Sequence, residues 1–250
     1  MPQALPPGIS IASFSEGYRK YFEVVPATTN ALKWHNYHLR HEVYARELGW
    51  QPCRPDELET DDYDRHSLHC LVRAVTSHRF VGGARLVLPD PPAPERPLPF
   101  EAACGDALDR AVIGRLDRHR IGEISRLAVI ARYRRRPGEA DRAFAIDDDF
   151  GIAPRIRLPY LTLGLYLALV ALARSRGIGT LFMLTEPELA RRFAHLGIEL
   201  TPVGASIDQH GEHVPSMMNI DAILAGMASY VRPFFDTITD DIERALRAPA

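Results

Sequence analysis

Cysteine is scarce in this chain of 250 residues: Cys53, Cys70 and Cys104 are three, an odd count at no metal-like spacing. That argues against a disulfide framework and a zinc cluster, and it suits a reducing compartment such as the cytoplasm. An excess of one charge is also lacking. Against 32 Asp and Glu stand 30 Lys and Arg, and the net charge of -2 gives no global field for nucleic acid or an anionic membrane. No stretch reaches the ~18 uninterrupted apolar residues of a membrane span, and the opening "MPQALPPGISIASFSEGYRK" lacks the basic start and apolar run that export needs. The nearest candidate, "LPYLTLGLYLALVALARSRG", holds Pro159 and Gly164 and ends in basic residues, so a core helix is expected there. No G-x-S-x-G elbow or P-loop occurs, and "RGIG" (176–179) is too short for a dinucleotide fingerprint. "HGEH" (210–213) spaces two histidines three apart with no obvious third ligand, so no metal is expected.

What is present is enough apolar residue for a substantial core, 46% against 25% charged, and one elaborated domain over 1–250 is the expectation. "YFEVVPA" (21–27) reads as a strand, followed by a long helix capped by Thr28 or Thr29. In that helix Leu32, Asn36, Leu39 and Val43 form one stripe, and Tyr37, Arg40, Tyr44 and Glu47 its neighbour. Residues 68–75 and 80–89, joined by "TSHR", predict an antiparallel hairpin. A proline-rich link (90–99), a helix around 103–118 and a strand "GEISRLAVI" (122–130) come next. After a long unpatterned loop, 131–157, come a helix (159–175), a strand (179–185), a helix (187–197) stopped by Gly197, and a strand (198–204). An amphipathic helix at about 231–247 closes the chain, packed on the body or on a second subunit. The order predicts an α/β chain with a mixed sheet and helices on both faces.

Several charges sit oddly in this apolar frame: Arg40, the acidic cluster "ETDDYD" (59–64), Arg85, and Glu123 with Arg126. A lone strand arginine ordinarily snorkels, and an acidic loop is ordinarily solvated. The neighbours of Arg85 and Arg126 are nearly all apolar, however, and an unpaired charge there would cost on the order of several kcal/mol. With Asp61, Asp64 and Glu123 as partners, a partly buried network of three arginines and three carboxylates is expected. Period two places Glu123 and Arg126 on opposite faces of a regular strand, so the two share a site only if the strand bulges.

"LRHEVYARELGW", "ETDDYD", "GGARLVLP" and "EISRLAV" occur in the order and spacing of the acyl-homoserine-lactone synthases, and the chain resembles that family, which has the GNAT N-acyltransferase fold. The matching residues are Arg40, Trp50, Asp61, Asp64, Arg85, Glu123 and Arg126; Tyr44 and Leu127 stand where the family usually has Phe. The stretches "SLHCLVRAV", "LPFE", "RYRRRP", "TEPELARRFAHLGIELTPVG" and "QHGEHVP" are more similar to the N-acyl amino acid synthases and the acyltransferases associated with PEP-CTERM/exosortase systems.

This resemblance implies a GNAT-like acyltransferase with a central mixed sheet, moving a long-chain acyl group from the phosphopantetheine thioester of acyl carrier protein to the amine of an amino acid. Coenzyme A is the other donor class, and no permanently bound cofactor is implied. Glu123 would be the base for an amine whose ordinary pKa is about 8, with Arg126 beside it. Arg40, Tyr44, Trp50, Asp61, Asp64 and Arg85 would form the substrate-binding or electrostatic network. The backbone of Leu127, Val129 and Ile130 would serve the oxyanion and the pantetheine arm. Two other readings remain open: an autoinducer synthase using S-adenosylmethionine, and a non-catalytic lipid or carrier-binding module. The oligomeric state is not indicated.

"RYRRR" follows the Glu123 strand, where the resemblance leads one to expect a glycine-rich pyrophosphate loop; its charge without glycine suits an acidic carrier protein docking on Arg132, Arg134, Arg135 and Arg136. Reversing Arg134 and Arg135 to Glu is therefore expected to raise KM for acyl carrier protein several-fold in steady-state kinetics. An unchanged KM would remove these arginines from docking.

Overall fold

The computed structural model describes residues 17–134 and 160–247. In chain order the elements are β1 (Phe22–Pro26), α1 (Asn30–His41) running into a π-helical turn (Glu42–Glu47), β2 (Ser67–Ala74), β3 (Phe80–Val87), α2 (Pro99–Cys104), α3 (Arg110–Ile113) and β4 (Ile121–Val129). Next come α4 (Ala131–Arg134), α5 (Tyr160–Ser175), β5 (Thr180–Thr185), α6 (Pro187–His195), β6 (Thr201–Pro202), β7 (Ile207–Asp208), β8 (Glu212–Asn219), α7 (Ile220–Gly226) and α8 (Arg232–Arg247). The strands form one mixed sheet in the order β1-β2-β3-β4-β5-β8-β6, with β7 paired to β8. Its one parallel pair is β4 with β5; the rest are antiparallel, including the expected β2–β3 hairpin.

Local chemistry accounts for much of this. Thr29 caps α1, its hydroxyl accepting from Leu32 N at 3.2 Å. Helix α5 is buried on every side from Leu161 to Ala173, as an all-round apolar sequence requires. It is the core helix expected from its composition, and among the described residues no helix is long and apolar enough to cross a membrane. Helix α8 is amphipathic and turns Phe234, Phe235, Ile238 and Ile242 inward, where they join the same core as α5 and β1.

Helices lie on both faces of the sheet, and Gly82-Gly83 in β3 lets two of them come close. A Cβ on Gly82 would lie 3.2 Å from Leu165 of α5, whereas one on Gly83 would strike Asn36 of α1. Adjacent strand residues point to opposite faces, so α1 and α5 clasp the sheet from either side at this dipeptide.

The structure departs from expectation in four places. The single helix around 103–118 is two short helices instead, because Gly105 turns the chain at φ +52 and Asp109 starts a new helix by accepting from Ala111 N and Val112 N. The strand expected at 198–204 shrinks to Thr201–Pro202, since Pro202 has no N–H and Gly204 is drawn into a bridge with Leu108. Strand β8 was unassigned in the sequence, where Pro215 argues against a strand; yet Pro215 pairs with Leu184 in register, and its carbonyl accepts from Val203 N at 2.8 Å. Residues 131–134 are helical where an unpatterned loop was expected, and the rest of 131–157 lies outside the described residues.

Gly83→Ala is expected to cost about 1–3 kcal/mol, because the new methyl must displace a buried Asn36 that is hydrogen-bonded to His69 Nδ1 at 3.0 Å. Gly82→Ala, which meets only the end of a leucine side chain, should cost less. Thermal melts of the two variants check this, and an equal or reversed order of Tm would contradict the clasp.

Candidate active site

Strand β4 pairs with β3 along most of its length, but with β5 only where Ile121–Glu123 face Thr180–Phe182. Past Glu123 the two parallel strands part, and among the described residues no strand fills that side of β4. A cavity of about 220 Å³ occupies the gap. Its β4 wall is Glu123 to Leu127, its β5 wall Met183 and Leu184, and its rim Tyr44, Trp50, Gln51, Gln209, His210 and His213.

Glu123 and Arg126 both line this cavity, which a regular strand would forbid. The β3–β4 register shifts between Gly83 and Arg85, so that Ala84 alone stands opposite both Arg126 and Leu127, and Arg126 takes φ +52. The bulge expected from the sequence is there. It turns the Arg126 side chain toward the acidic loop, while Leu127 O is freed to accept from the Tyr44 hydroxyl at 2.9 Å. Tyr44 stands in the π-helical turn, and burial pushes its pKa up to about 12, so it remains a donor.

The acidic loop and the arginines form one network. Arg40 Nη1 and Nη2 clasp Asp64 at 2.7 and 3.2 Å, and its Nε bonds Glu59. Arg85 Nη1 reaches Asp61 at 2.5 Å and Asp64 at 2.9 Å, and its Nε donates to Ser125 Oγ at 3.2 Å. Arg126 reaches Glu59 at 3.0 Å and Asp61 at 3.4 Å. Three cations thus meet three anions. Burial alone would raise Asp61 and Asp64, but the arginines outweigh it and hold both below the usual carboxylate range. Burial drives His69, 3.8 Å from Asp64, down to about 4, so it is neutral.

One member differs from the expected network: its third carboxylate is Glu59, not Glu123. Glu59 stands inside the acidic cluster noted in the sequence, but its place depends on the loop path, fixed by Glu59 N donating to Tyr37 O at 3.1 Å, and no spacing rule reports that. Glu123 is 3% exposed and accepts from Phe100 N at 2.8 Å, beside the stacked rings of Phe100 and Phe182. Burial pushes its pKa up to about 8.

The other expected residues divide. Trp50 forms the rim, stacked on His210 with centroids 4.6 Å apart and planes 2° apart. Leu127 lines the cavity, but Val129 is buried in the core, and Ile130 donates its N–H to Val81 O at 3.0 Å and borders a different cavity with Arg46, Arg79 and Arg132. Of these three residues only Leu127, in the bulge, lines the cavity. The side chain of Arg134, and all of Arg135 and Arg136, lie outside the described residues. Tyr166, whose hydroxyl bonds Met218 Sδ in the core, does not line the cavity. Sequence reasoning missed the placement of Gln51, Gln209, His210 and His213 around the cavity, and of these only the histidines left a visible motif.

Residues 39–141 match the acetyltransferase (GNAT) domain, so the chain carries an acyltransferase domain of that type. No curated protein matches the chain. Among solved structures, TofI in a ternary complex with an inhibitor and MTA is 21% identical, with 84% of this chain and 96% of TofI covered at a TM-score of 0.58. BjaI, a CoA-dependent acyl-homoserine lactone synthase solved with SAM and isopentyl-CoA, is 21% identical, with 91% and 99% covered at 0.55. FeeM, an N-acyl amino acid synthase from uncultured soil microbes, is 9% identical, with 85% and 96% covered at 0.53. These likenesses are of fold: the mixed sheet is a GNAT sheet.

The two kinds of carboxylate give stability opposite pH dependences. Asp61 and Asp64, held low, stabilise the fold above the ordinary carboxylate range and cease to do so as pH falls through their folded values. Glu123, held high, contributes fully below that range, and the contribution is lost as pH rises toward 8. Glu123→Gln is therefore expected to change Tm little at about pH 5 and to gain on wild type by about pH 8.5. A Tm difference that stays constant between those values would contradict the raised carboxyl.

Proposed function

We propose that the chain is an N-acyltransferase that moves a fatty acyl group from a phosphopantetheine thioester to the amine of an amino acid. The observation that carries this reading is the buried carboxyl of Glu123, pushed up to about 8, in the gap between parted strands and in one cavity with the β4 bulge. A general base works best with a pKa near the operating pH, and that of Glu123 lies there.

The thioester arm lies along the open side of β4 like an added strand, its acyl chain toward Ile124, Met183, Leu184 and Leu189. The amine nitrogen attacks the thioester carbon, a C–N bond forms, and the carbonyl electrons move to oxygen, where N–H groups of the bulge stabilise them. Glu123, directly or through one water, takes the proton of the new ammonium. Collapse of the intermediate breaks the C–S bond, and the thiolate leaves with that proton. Arg126, held by Glu59 and Asp61, keeps the bulge in shape.

Acyl carrier protein is the donor that the basic run from Arg132 favours, with coenzyme A the other class, and the low cysteine content suits work in the cytoplasm. The amino-acid acceptor and a PEP-CTERM/exosortase setting rest on the resemblance of the sequence.

Mass spectrometry of lipid extracts from expressing cells should find N-acyl amino acids; acyl-homoserine lactones instead would replace the acceptor with S-adenosylmethionine. In the pH profile of kcat/KM two ionisations are expected on the way to about pH 8, the amine's and that of Glu123. Glu123→Gln should retain only the amine's and lower kcat by roughly 10²–10⁴. Undiminished turnover in that variant would take Glu123 out of the mechanism.

A further inference from the structure

The buried network leaves a problem for any amino-acid acceptor. An α-carboxylate entering the cavity needs a cation or hydrogen-bond donors, since it loses water there. The three arginines are already matched by three carboxylates; Arg40 and Arg85 are 0% exposed, and Arg126 is held by Glu59 and Asp61. Ser125 takes up the Nε–H of Arg85, and Glu123 accepts from Phe100. The other polar side chains around the cavity are Tyr44, whose hydroxyl donates to Leu127 O, the carboxylate Glu186 next to β5, Gln51 beside Trp50, and Gln209, His210 and His213 on the β7–β8 hairpin, so donors for an anion come from the hairpin and Gln51.

That hairpin is a built feature. Gln209 N donates to Gly211 O at 2.9 Å and Gly211 N to Asp208 Oδ1 at 3.1 Å, which shapes the turn, and His210 sits at φ +58. Its ring lies flat on Trp50, and Trp50 stacks in turn on Tyr44 with centroids 6.0 Å apart. A run of three rings thus anchors the hairpin tip to the residue whose hydroxyl holds the bulge. Stacking on Trp50 covers one face of the His210 ring, and its nitrogens, which lie in the ring plane, point away from that contact. His213 donates Nδ1–H to Gly211 O at 3.0 Å, so its Nε2 donates to an anion when the ring is the imidazolium, which an incoming carboxylate favours.

We propose that the β7–β8 hairpin is the carboxylate subsite of the acceptor: His210 and His213, with Gln209 and Gln51, hold the α-carboxylate at the cavity mouth while the α-amine points inward to Glu123. The inference rests on the reading of the chain as an amino-acid N-acyltransferase and adds which part of the acceptor is recognised, and where. "HGEH", too sparse for a metal, thereby gains a use as a pair of anion-binding side chains.

The test compares kcat/KM for an amino acid with that for the same molecule lacking its carboxyl group, using one acyl-carrier donor, in wild type, His213→Leu and His210→Asn. Asn suits the second position because it tolerates positive φ. Wild type should prefer the amino acid, and each variant should reduce that preference about tenfold, mainly through KM for the amino acid. Equal preference for the two amines in wild type, or a preference unchanged in both variants, including one where both activities fall together, overturns the subsite alone. Formation of acyl-homoserine lactone with neither amine acylated overturns the amino-acid reading and the subsite with it.

Discussion

A neutral, buried knot of three arginines and three carboxylates is the interaction on which the rest of this structure depends. It ties α1, through Arg40, and the loop of Glu59, Asp61 and Asp64 to the paired strands β3, through Arg85, and β4, through Arg126. Arg40, Arg85, Glu59 and Asp64 are buried while Arg126 and Asp61 are partly exposed, and breaking one partner out of a buried pair typically costs about 3–5 kcal/mol. What the knot holds is a strained residue. A non-glycine residue at φ +52 costs on the order of 1–3 kcal/mol, and Arg126 keeps it because two carboxylates fix its side chain.

The strain has a consequence at the sheet. By taking up one extra residue against Ala84, β4 turns the Arg126 side chain toward the network, while Glu123 remains at the last residue paired with β5. The cavity opens beyond that point, so the base stands at the fork where the two strands part. The position of Arg126 in the cavity wall and the acceptor that Leu127 O offers Tyr44 are set by one local irregularity.

Much of this was legible in the residues. Alternation and capping gave the strands and long helices, because those signals act over a few residues. The apolar neighbours of Arg85 and Arg126 required anionic partners, and the face argument for Glu123 and Arg126 required a bulge. Three things were not legible. Glu59 enters through a loop path with no period. The helix around 103–118 breaks because Gly105 and Asp109 act against a composition that reads as continuous. Strand β8 contains a proline, and only its place between β5 and β6 explains why the strand is tolerated. At Glu59 and β8 tertiary context overrode the local signal, beside the candidate site in both, whereas the break at 103–118 is made by two local signals, a turn glycine and a capping aspartate.

The misassignment of Glu123 to the ion network is the most instructive, because the network would have ruined it as a base. Asp64 meets two arginines and is held low, a carboxylate too weakly basic to take a proton from an amine near neutral pH. Glu123 stands two residues from Ser125, which pairs with Arg85, yet it receives one backbone N–H beside two phenyl rings, and burial carries it the other way, to about 8. Two carboxylates in one site are thus driven apart by their surroundings, one to hold structure as a permanent anion and one to exchange protons. That division requires Glu123 to stay out of direct contact with the guanidinium groups. Phe100 and Phe182 enforce the separation, the first by donating the only hydrogen bond Glu123 is seen to accept among the described residues, the second by standing opposite it on β5.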